Sequence, residues 1–337
     1  MRAVRITEID RADGPSKMHV ATVDDPSAGP GQILVRIRCA AFNRRDVYIT
    51  QGLYPGIALP VIPGSDGVGT VEAHGEGATG PAVGTRVVID PMLGWGSNPR
   101  IWQKGHNILG MPTQGTFAEL VAVPAENVHA APASLDDAEA ASLPLGGLTA
   151  YRAVVTRGAV KADDVVFIPG IGSGVQTFAM LFAKRAGARV VVSSSSDEKL
   201  AKAKELGADD TINYKSSENW VKELRAKTGG GPTLVIDSIG GETFAGALDA
   251  AREAARVVTY GGTTGDAKIR PFSIFWKQLD VLGTSMGAPE DFRSMLAVFD
   301  GSIKPVVDSV HPMDDVVAAA RKVEKGDQMG KVVLKIA

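Results

Sequence analysis

Three glycines carry the sharpest chemical signal in this 337-residue chain: Gly170, Gly172 and Gly174. They stand between the apolar run VVFI, from Val165 to Ile168, and a segment in which Val175, Phe178, Ala179, Phe182, Ala183 and Ala186 recur at helical spacing. A buried strand, a glycine-rich turn and an amphipathic helix in that order are the setting in which such glycines bind a dinucleotide. The backbone can approach a pyrophosphate closely, and the N–H groups and positive dipole of a helix opening near Val175 meet its charge. Ser173 lies inside the turn. Gln176 takes the place where a third small residue usually lets helix and strand pack closely, which predicts a helix spread slightly outward. NAD-preferring sites hold the ribose with an acid about 20 residues past the second glycine, but the count reaches Ser193. The hydroxyls of Ser193, Ser194 and Ser196 and the ammonium of Lys199 are suitable donors to a 2′-phosphate, which predicts NADP(H). Asp197, close by, argues the other way.

The elements that must position this turn follow from the surrounding pattern. From about Leu135 the chain alternates apolar strands with helices: VVFI, VVV (Val190 to Val192), LVID (Leu234 to Asp237), VVTY (Val257 to Tyr260) and DVLG (Asp280 to Gly283). Runs apolar on both faces belong in a parallel sheet covered by helices, so the spacing predicts a doubly wound α/β domain. One helix ends at Gly187, and Ser195 with Glu198 forms a capping box for the next, which stops at Gly207. From Met1 to about Val128 the text is different, with short runs such as ILVRIRC in which Ile33, Val35, Ile37 and Cys39 alternate with Arg36 and Arg38, the pattern of antiparallel β. After Gly287 come a helix (Glu290 to Asp300), a strand (Val306 to Val310), a helix (Met313 to Lys325) and the strand KVVLKI. This tail is too short to fold alone and is expected to dock on the first domain. The expected boundaries are 1–128 with 288–337 for the β domain and 129–287 for the dinucleotide domain.

Composition narrows the function. Lys plus Arg is 36 against 38 for Asp plus Glu, and the net charge of -2 offers no general attraction to nucleic acid or anionic lipid. No segment approaches the roughly 20 apolar residues of a membrane span, and MRAVRITEIDRADG has no apolar signal region. One cysteine, Cys39, cannot form an internal disulfide, which fits a reducing, cytoplasmic compartment. His19, His74, His106, His129 and His311 fall at no metal-ligand spacing, although His106 is a candidate to line a cleft, and no nucleophile elbow or Cys–His pairing occurs.

Taken together, AAFNRRDVYITQGLYP (Ala40 to Pro55), LPVIPGSDGVGTV (Leu59 to Val71), LPLGGLTAYRAV (Leu143 to Val154), the glycine turn, GADDTINY (Gly207 to Tyr214), VIDSIGG (Val235 to Gly241) and GKVVLKI resemble the medium-chain dehydrogenase/reductases end to end. Within them the chain resembles the zinc-independent, quinone-oxidoreductase-like branch. The resemblance implies a GroES-like, mainly-β catalytic domain built from both chain ends, a Rossmann domain between, an active site in the cleft and a homodimer, with the edge strand near Leu282 a candidate to pair across a two-fold axis. Zinc-using members carry Cys where Asn43 stands and a His–Glu pair where Ser65 and Asp66 stand, and four cysteines in the lobe that here runs from Pro91 to Gln114 without one, so zinc is not expected. The shared N-x-x-D-x-Y motif places Asn43 and Tyr48 at the nicotinamide and substrate, with Asp46 bracing the loop and Arg44 and Arg45 either solvated or attracting an anionic substrate. By the same resemblance Thr149, Gly261 and Thr263 contact the cofactor, Ser285 and Met286 follow the last strand beside it, and Lys199 and Tyr214 contact the 2′-phosphate.

The expectation is an NADP(H)-dependent oxidoreductase transferring hydride to a small electrophilic substrate, a quinone or an α,β-unsaturated carbonyl, without zinc. An alcohol dehydrogenase or carbonyl reductase is the nearest rival, and a low-turnover cofactor-binding sensor is a second. Acceptor shape depends on loops around Leu53, Trp95, Trp102 and Phe275.

Overall fold

A computed structural model describes every residue from Met1 to Ala337. The chain divides into two compact units, Met1–Leu148 with Ala288–Ala337, and Thr149–Gly287. The first boundary therefore lies at Leu148 and not at residue 128. The cause is visible in the Asp137–Ser142 helix, which packs on the Gln32–Ala41 and Asp66–His74 strands. It buries Ala140 and Ala141 completely, and its Asp137 carboxylate takes ion pairs from Arg38 at 2.9 Å and Arg86 at 2.8 Å.

The first unit centres on a seven-stranded sheet, in which Val307–Pro312, Lys331–Lys335, Gln32–Ala41, Asp66–His74, Arg86–Ile89 and Val128–Ala130 are successive neighbours and Leu120–Pro124 also pairs with Gln32–Ala41. All pairings are antiparallel except that of Val307–Pro312 with Lys331–Lys335. The alternation in ILVRIRC does what period two requires: Ile33, Val35 and Ile37 are fully buried while Arg36 and Arg38 face water. The chain's end docks on this unit. Val333, Leu334 and Lys335 lie opposite Ala41, Ala40 and Cys39, and Val316, Ala319, Ala320 and Val323 of the Val316–Lys325 helix join the same core as Ile33, Val35 and Ile37.

The second unit is a six-stranded parallel sheet in the order Asp210–Asn213, Arg189–Ser194, Val165–Ile168, Leu234–Asp237, Arg256–Thr259, Asp280–Gly283. Numbered within the unit this is 3-2-1-4-5-6, the doubly wound order whose switch point lies between the first and fourth strands. The carboxyl ends of the strands carry the glycine turn, the serine run, Tyr214, Ser238, Gly261 to Thr263 and Ser285 to Met286. The helix after Arg189–Ser194 begins one residue later than the S-x-x-E pattern implies. Ser196 is its cap, accepting the Lys199 N–H at 3.3 Å. No helix in the chain is long and apolar enough to cross a membrane.

Candidate active site

In the first unit Asn43 opens the Arg44–Thr50 helix from an extended backbone, φ −124° and ψ 157°. Its N–H donates to Asp46 Oδ2 at 2.7 Å, and Asp46 Oδ1 accepts the Gly64 N–H at 3.3 Å, so Asp46 ties the helix start to the neighbouring loop. Burial pushes the Asp46 carboxyl up to about 6, against the pull of Arg45 and the Asn43 N–H.

The Asn43 side chain is locked from both ends. Its Nδ2 donates to Asp66 Oδ2 at 2.9 Å and its Oδ1 accepts from Lys331 Nζ at 2.8 Å. The reverse amide orientation would aim NH2 at an ammonium, so chemistry settles the assignment. Lys331 and Asp66 have side chains 4% and 0% exposed and form an ion pair at 2.8 Å. Lys331 gives its third proton to Phe42 O at 2.7 Å, and Asp66 Oδ1 accepts the Leu145 N–H at 2.7 Å. Every proton of the ammonium is thereby used, and Asn43 keeps one Nδ2 hydrogen for a ligand. Sequence reasoning left Lys331 and Asp66 out. The signal that could have found them is a charge at the first position of each of two strands, Asp66 ahead of GVGTV and Lys331 ahead of VVL, since buried charges pair.

Tyr48 projects from the same short helix, half-buried, with the Arg44 guanidinium 5.6 Å from its ring centroid. Its hydroxyl has no hydrogen-bond partner within the chain. Arg44 and Arg45 are not free cations for a substrate. Arg44 donates to Val323 O and Glu324 O, and Arg45, 6% exposed, donates to Ser65 Oγ at 2.7 Å, Leu109 O at 2.8 Å and Met111 O at 3.1 Å. Carbonyl groups cluster there and a guanidinium answers them. His106 is held by Gln103 O and tilts against Trp102 with centroids 4.8 Å apart.

In the second unit the glycine turn has the conformation its residues allow. Gly170 has φ 69° and Gly172 φ 147°, both in the region that excludes side chains, and a Cβ at Gly170 would sit 2.5 Å from Ile239 Cδ1. The turn is fastened to the next strand by Gly170 N–H to Ser193 Oγ at 3.4 Å and Ile171 N–H to Ser193 O at 2.7 Å. Ser173 caps the Gly174–Arg185 helix, so the helix opens one residue before Val175. The first helical bond runs from Thr177 N–H to Ser173 O, which leaves the N–H groups of Gly174 and Val175 pointing out of the helix end without intrahelical acceptors. That is the donor set a pyrophosphate needs, and the residues fit a dinucleotide.

Gln176 does not simply wedge the helix outward. It is 2% exposed, accepts the Ser173 N–H at 3.2 Å through Oε1, and gives Nε2 to Pro169 O at 2.9 Å and Ser238 Oγ at 3.1 Å, bridging the two strands of the switch point. Ser193 and Ser194 are 3% and 4% exposed, and their hydroxyl oxygens accept the N–H groups of Gly170 and Ser196. They brace the turn from inside, because strand burial extends to the last residue of Arg189–Ser194. Tyr214, 44% exposed, is brought beside them by its N–H to Ser194 O at 3.2 Å. Lys199 is half-buried on the next helix, and Asp197 accepts from Asn213 Nδ2 at 2.7 Å. Thr263 reaches Ser238 O through both N–H and hydroxyl at 3.2 Å, with Gly261 exposed beside it. Thr149 is 6% exposed in the Pro144–Tyr151 helix, and Met286, 5% exposed, holds a left-handed backbone at φ 52° after the half-buried Ser285. A strained non-glycine residue is the kind of feature that collects at functional sites.

Residues 29–133 match the family model of the alcohol dehydrogenase GroES-like domain, and residues 174–301 match that of the zinc-binding dehydrogenases. Zinc does not fit the residues at hand. Asn43 and Ser65 stand in the expected places, Asp66 is neutralised by Lys331, and the cation Arg45 occupies the Ser65 hydroxyl. The chain is 36% identical to a zinc-type alcohol dehydrogenase-like protein, YogA, of Leptosphaeria maculans, covering 95% of this chain and 94% of that one. A solved structure described as an NAD-dependent alcohol dehydrogenase is 36% identical, with a TM-score of 0.94 over 100% of both chains. A mycobacterial quinone oxidoreductase is 26% identical, with a TM-score of 0.82 over 99% of both. With a GroES-like unit, a Rossmann unit and relatives matched along nearly their whole length, the chain belongs to the medium-chain dehydrogenase/reductase superfamily of oxidoreductases.

Proposed function

We propose that this oxidoreductase uses NADPH to reduce a small electrophile, a quinone or an α,β-unsaturated carbonyl, without catalytic zinc. Gly170, Gly172, Ser173, Gly174 and Val175 would hold the pyrophosphate, Ser193, Ser194, Lys199 and Tyr214 the phosphorylated ribose, and Thr149, Gly261, Thr263, Ser285 and Met286 the remainder of the coenzyme. When bound, the coenzyme supplies the hydride. The observation that carries the reading is the pairing of a locked amide with an unpartnered phenol, Asn43 held by Asp66 and Lys331 at 2.9 and 2.8 Å and Tyr48 with no partner in the chain. One donor held in place and one left open to a ligand suit a carbonyl oxygen that gains charge as its conjugated carbon is reduced. The proton that completes the reduction comes from water. An acceptor already activated by conjugation has less need of a Lewis acid than a simple ketone.

A second reading, an alcohol dehydrogenase, is favoured by the NAD-dependent alcohol dehydrogenase among the similar structures and by Asp197 beside the serine run. The proposal extends to a homodimer through the Asp280–Gly283 edge strand, where Val281 is 40% exposed. It extends also to a cytoplasmic setting, where the lone Cys39 thiol, buried and pushed up to about 11, stays reduced and inert. Tyr48→Phe tests the mechanism: it should lower kcat for an enal about a hundredfold while leaving the affinity for NADPH unchanged. A kcat within about twofold of the parent's would remove Tyr48 from the chemistry.

A further inference from the structure

A cavity of about 330 Å³ opens in the first unit, lined among others by Asp90, Met92, Trp95, Glu126, Asn127 and Arg293. None of Asn43, Tyr48, Asp66 and Lys331 lines it. Its floor is rich in acceptors and poor in donors. Asn127, 4% exposed, spends Nδ2 on Asp90 O and Met92 O, both at 3.0 Å, which fixes the amide and leaves Oδ1 buried with no partner. Asp90, 1% exposed, uses Oδ1 to accept the Met92 N–H at 3.0 Å, and its Oδ2 accepts from no group of the chain. Trp95, 3% exposed, turns its indole N–H away to Asn98 O at 2.7 Å and gives the cavity an aromatic wall beside Met92. The one cation in the lining, Arg293, is half-exposed and held by Glu290 at 2.5 Å. Two buried oxygens, an indole and a second acid, Glu126, form a pocket whose one cation pairs with Glu290 and hydrogen-bonds neither oxygen. It is not a metal site, since no group of three or more His, Cys, Asp or Glu side chains is arranged to hold an ion.

We infer that this cavity binds a small organic ammonium ion, with its N–H groups on Asp90 Oδ2 and Asn127 Oδ1 and its carbon chain against Trp95 and Met92. Burial pushes the Asp90 carboxyl up to about 7, with Glu126 and Asp291 adding to the rise and Arg293 and the Met92 N–H opposing it. Burial, and then Arg293, hold His129, on the strand beside Asp90, below the ordinary imidazole value. A bound ammonium favours the carboxylate, so affinity should rise from pH 6 to pH 8 as Asp90 ionises.

The probe is n-butylammonium chloride, titrated calorimetrically into the whole protein, with 1-butanol as the uncharged control and the Trp95 indole N–H resonance reporting the location. The expected result is saturable binding of the ammonium, a shift of the Trp95 signal, a loss of roughly tenfold or more in affinity in Asp90→Asn, and no comparable binding of 1-butanol. Asp90→Asn keeps an acceptor for the Met92 N–H, and Glu126→Gln, at the exposed rim, gives a second variant that should weaken binding without touching the floor. Absence of ammonium binding, equal binding of 1-butanol, or binding indifferent to both variants would each overturn the inference and leave the cavity to water.

Discussion

Replacing Lys331 by Met removes an ammonium that is 4% exposed and makes three hydrogen bonds, to Phe42 O at 2.7 Å and to Asn43 Oδ1 and Asp66 Oδ2 at 2.8 Å. Asp66 would remain fully buried with only the Asn43 amide and the Leu145 N–H as donors. Breaking one side of a buried pair costs about 3–5 kcal/mol, because the surviving charge has lost both water and partner. That is a large share of the ~5–15 kcal/mol that holds a domain together. Urea unfolding at pH 7 should show this loss, with amide exchange in the Gln32–Ala41 strand reporting the first unit by itself. The double variant Lys331→Met, Asp66→Asn should recover at least ~1 kcal/mol of the summed single effects, since it leaves no stranded charge. Catalysis supplies an independent readout: with Asn43 released, kcat should fall while NADPH affinity, which the proposal assigns to the glycine turn of the other unit, stays unchanged. A Lys331→Met protein within about 1 kcal/mol of the parent, or a cycle additive to within about 0.5 kcal/mol, would refute the claim that this pair holds Asn43 in place.

Asp90 has a carboxyl pushed by burial from 3.8 to about 7, so the folded protein retains a proton that the unfolded chain releases. Its stabilising effect is therefore complete below about pH 4 and is lost as pH rises through 7, and Asp90→Asn should raise Tm more at pH 8 than at pH 5, by up to a few kcal/mol in free energy; equal gains at both pH values in thermal melts would contradict this. Gly170→Ala places a Cβ 2.5 Å from Ile239 Cδ1 at φ 69°, and the left-handed backbone alone costs about 1–2 kcal/mol. Calorimetric melting and NADPH titration should show a lower Tm together with weaker coenzyme binding.

Five of the six strands of the doubly wound sheet are legible because periodicity is local, and the turn between Ile168 and Gly174 needs no distant information; the sixth, Asp210–Asn213, is not, because DTIN carries no apolar run. The roles of Arg45 and Gln176 were not legible, because their partners, Leu109, Met111 and Ser238, are close only in the fold. The same holds for Lys331 and Asp66, which meet across 265 residues of chain. The first boundary was placed at residue 128 because the strand grammar of the β half ends there, whereas the Asp137–Ser142 helix is claimed by Arg38 and Arg86 on strands far earlier in sequence. The count from Gly172 points to Ser193 and Ser194 as donors to a 2′-phosphate, but their burial at the end of a parallel strand, 3% and 4% exposed, depends on packing that spacing does not carry.

Hydride transfer to an activated acceptor without zinc is tested by coenzyme oxidation in protein stripped of metal by EDTA and assayed for residual zinc, with a quinone or an enal as acceptor and NADPH or NADH as donor. The expected result is steady NADPH turnover that added zinc does not raise, and slower turnover with NADH. Turnover that appears only with zinc, or alcohol oxidation in place of enal reduction, would contradict it.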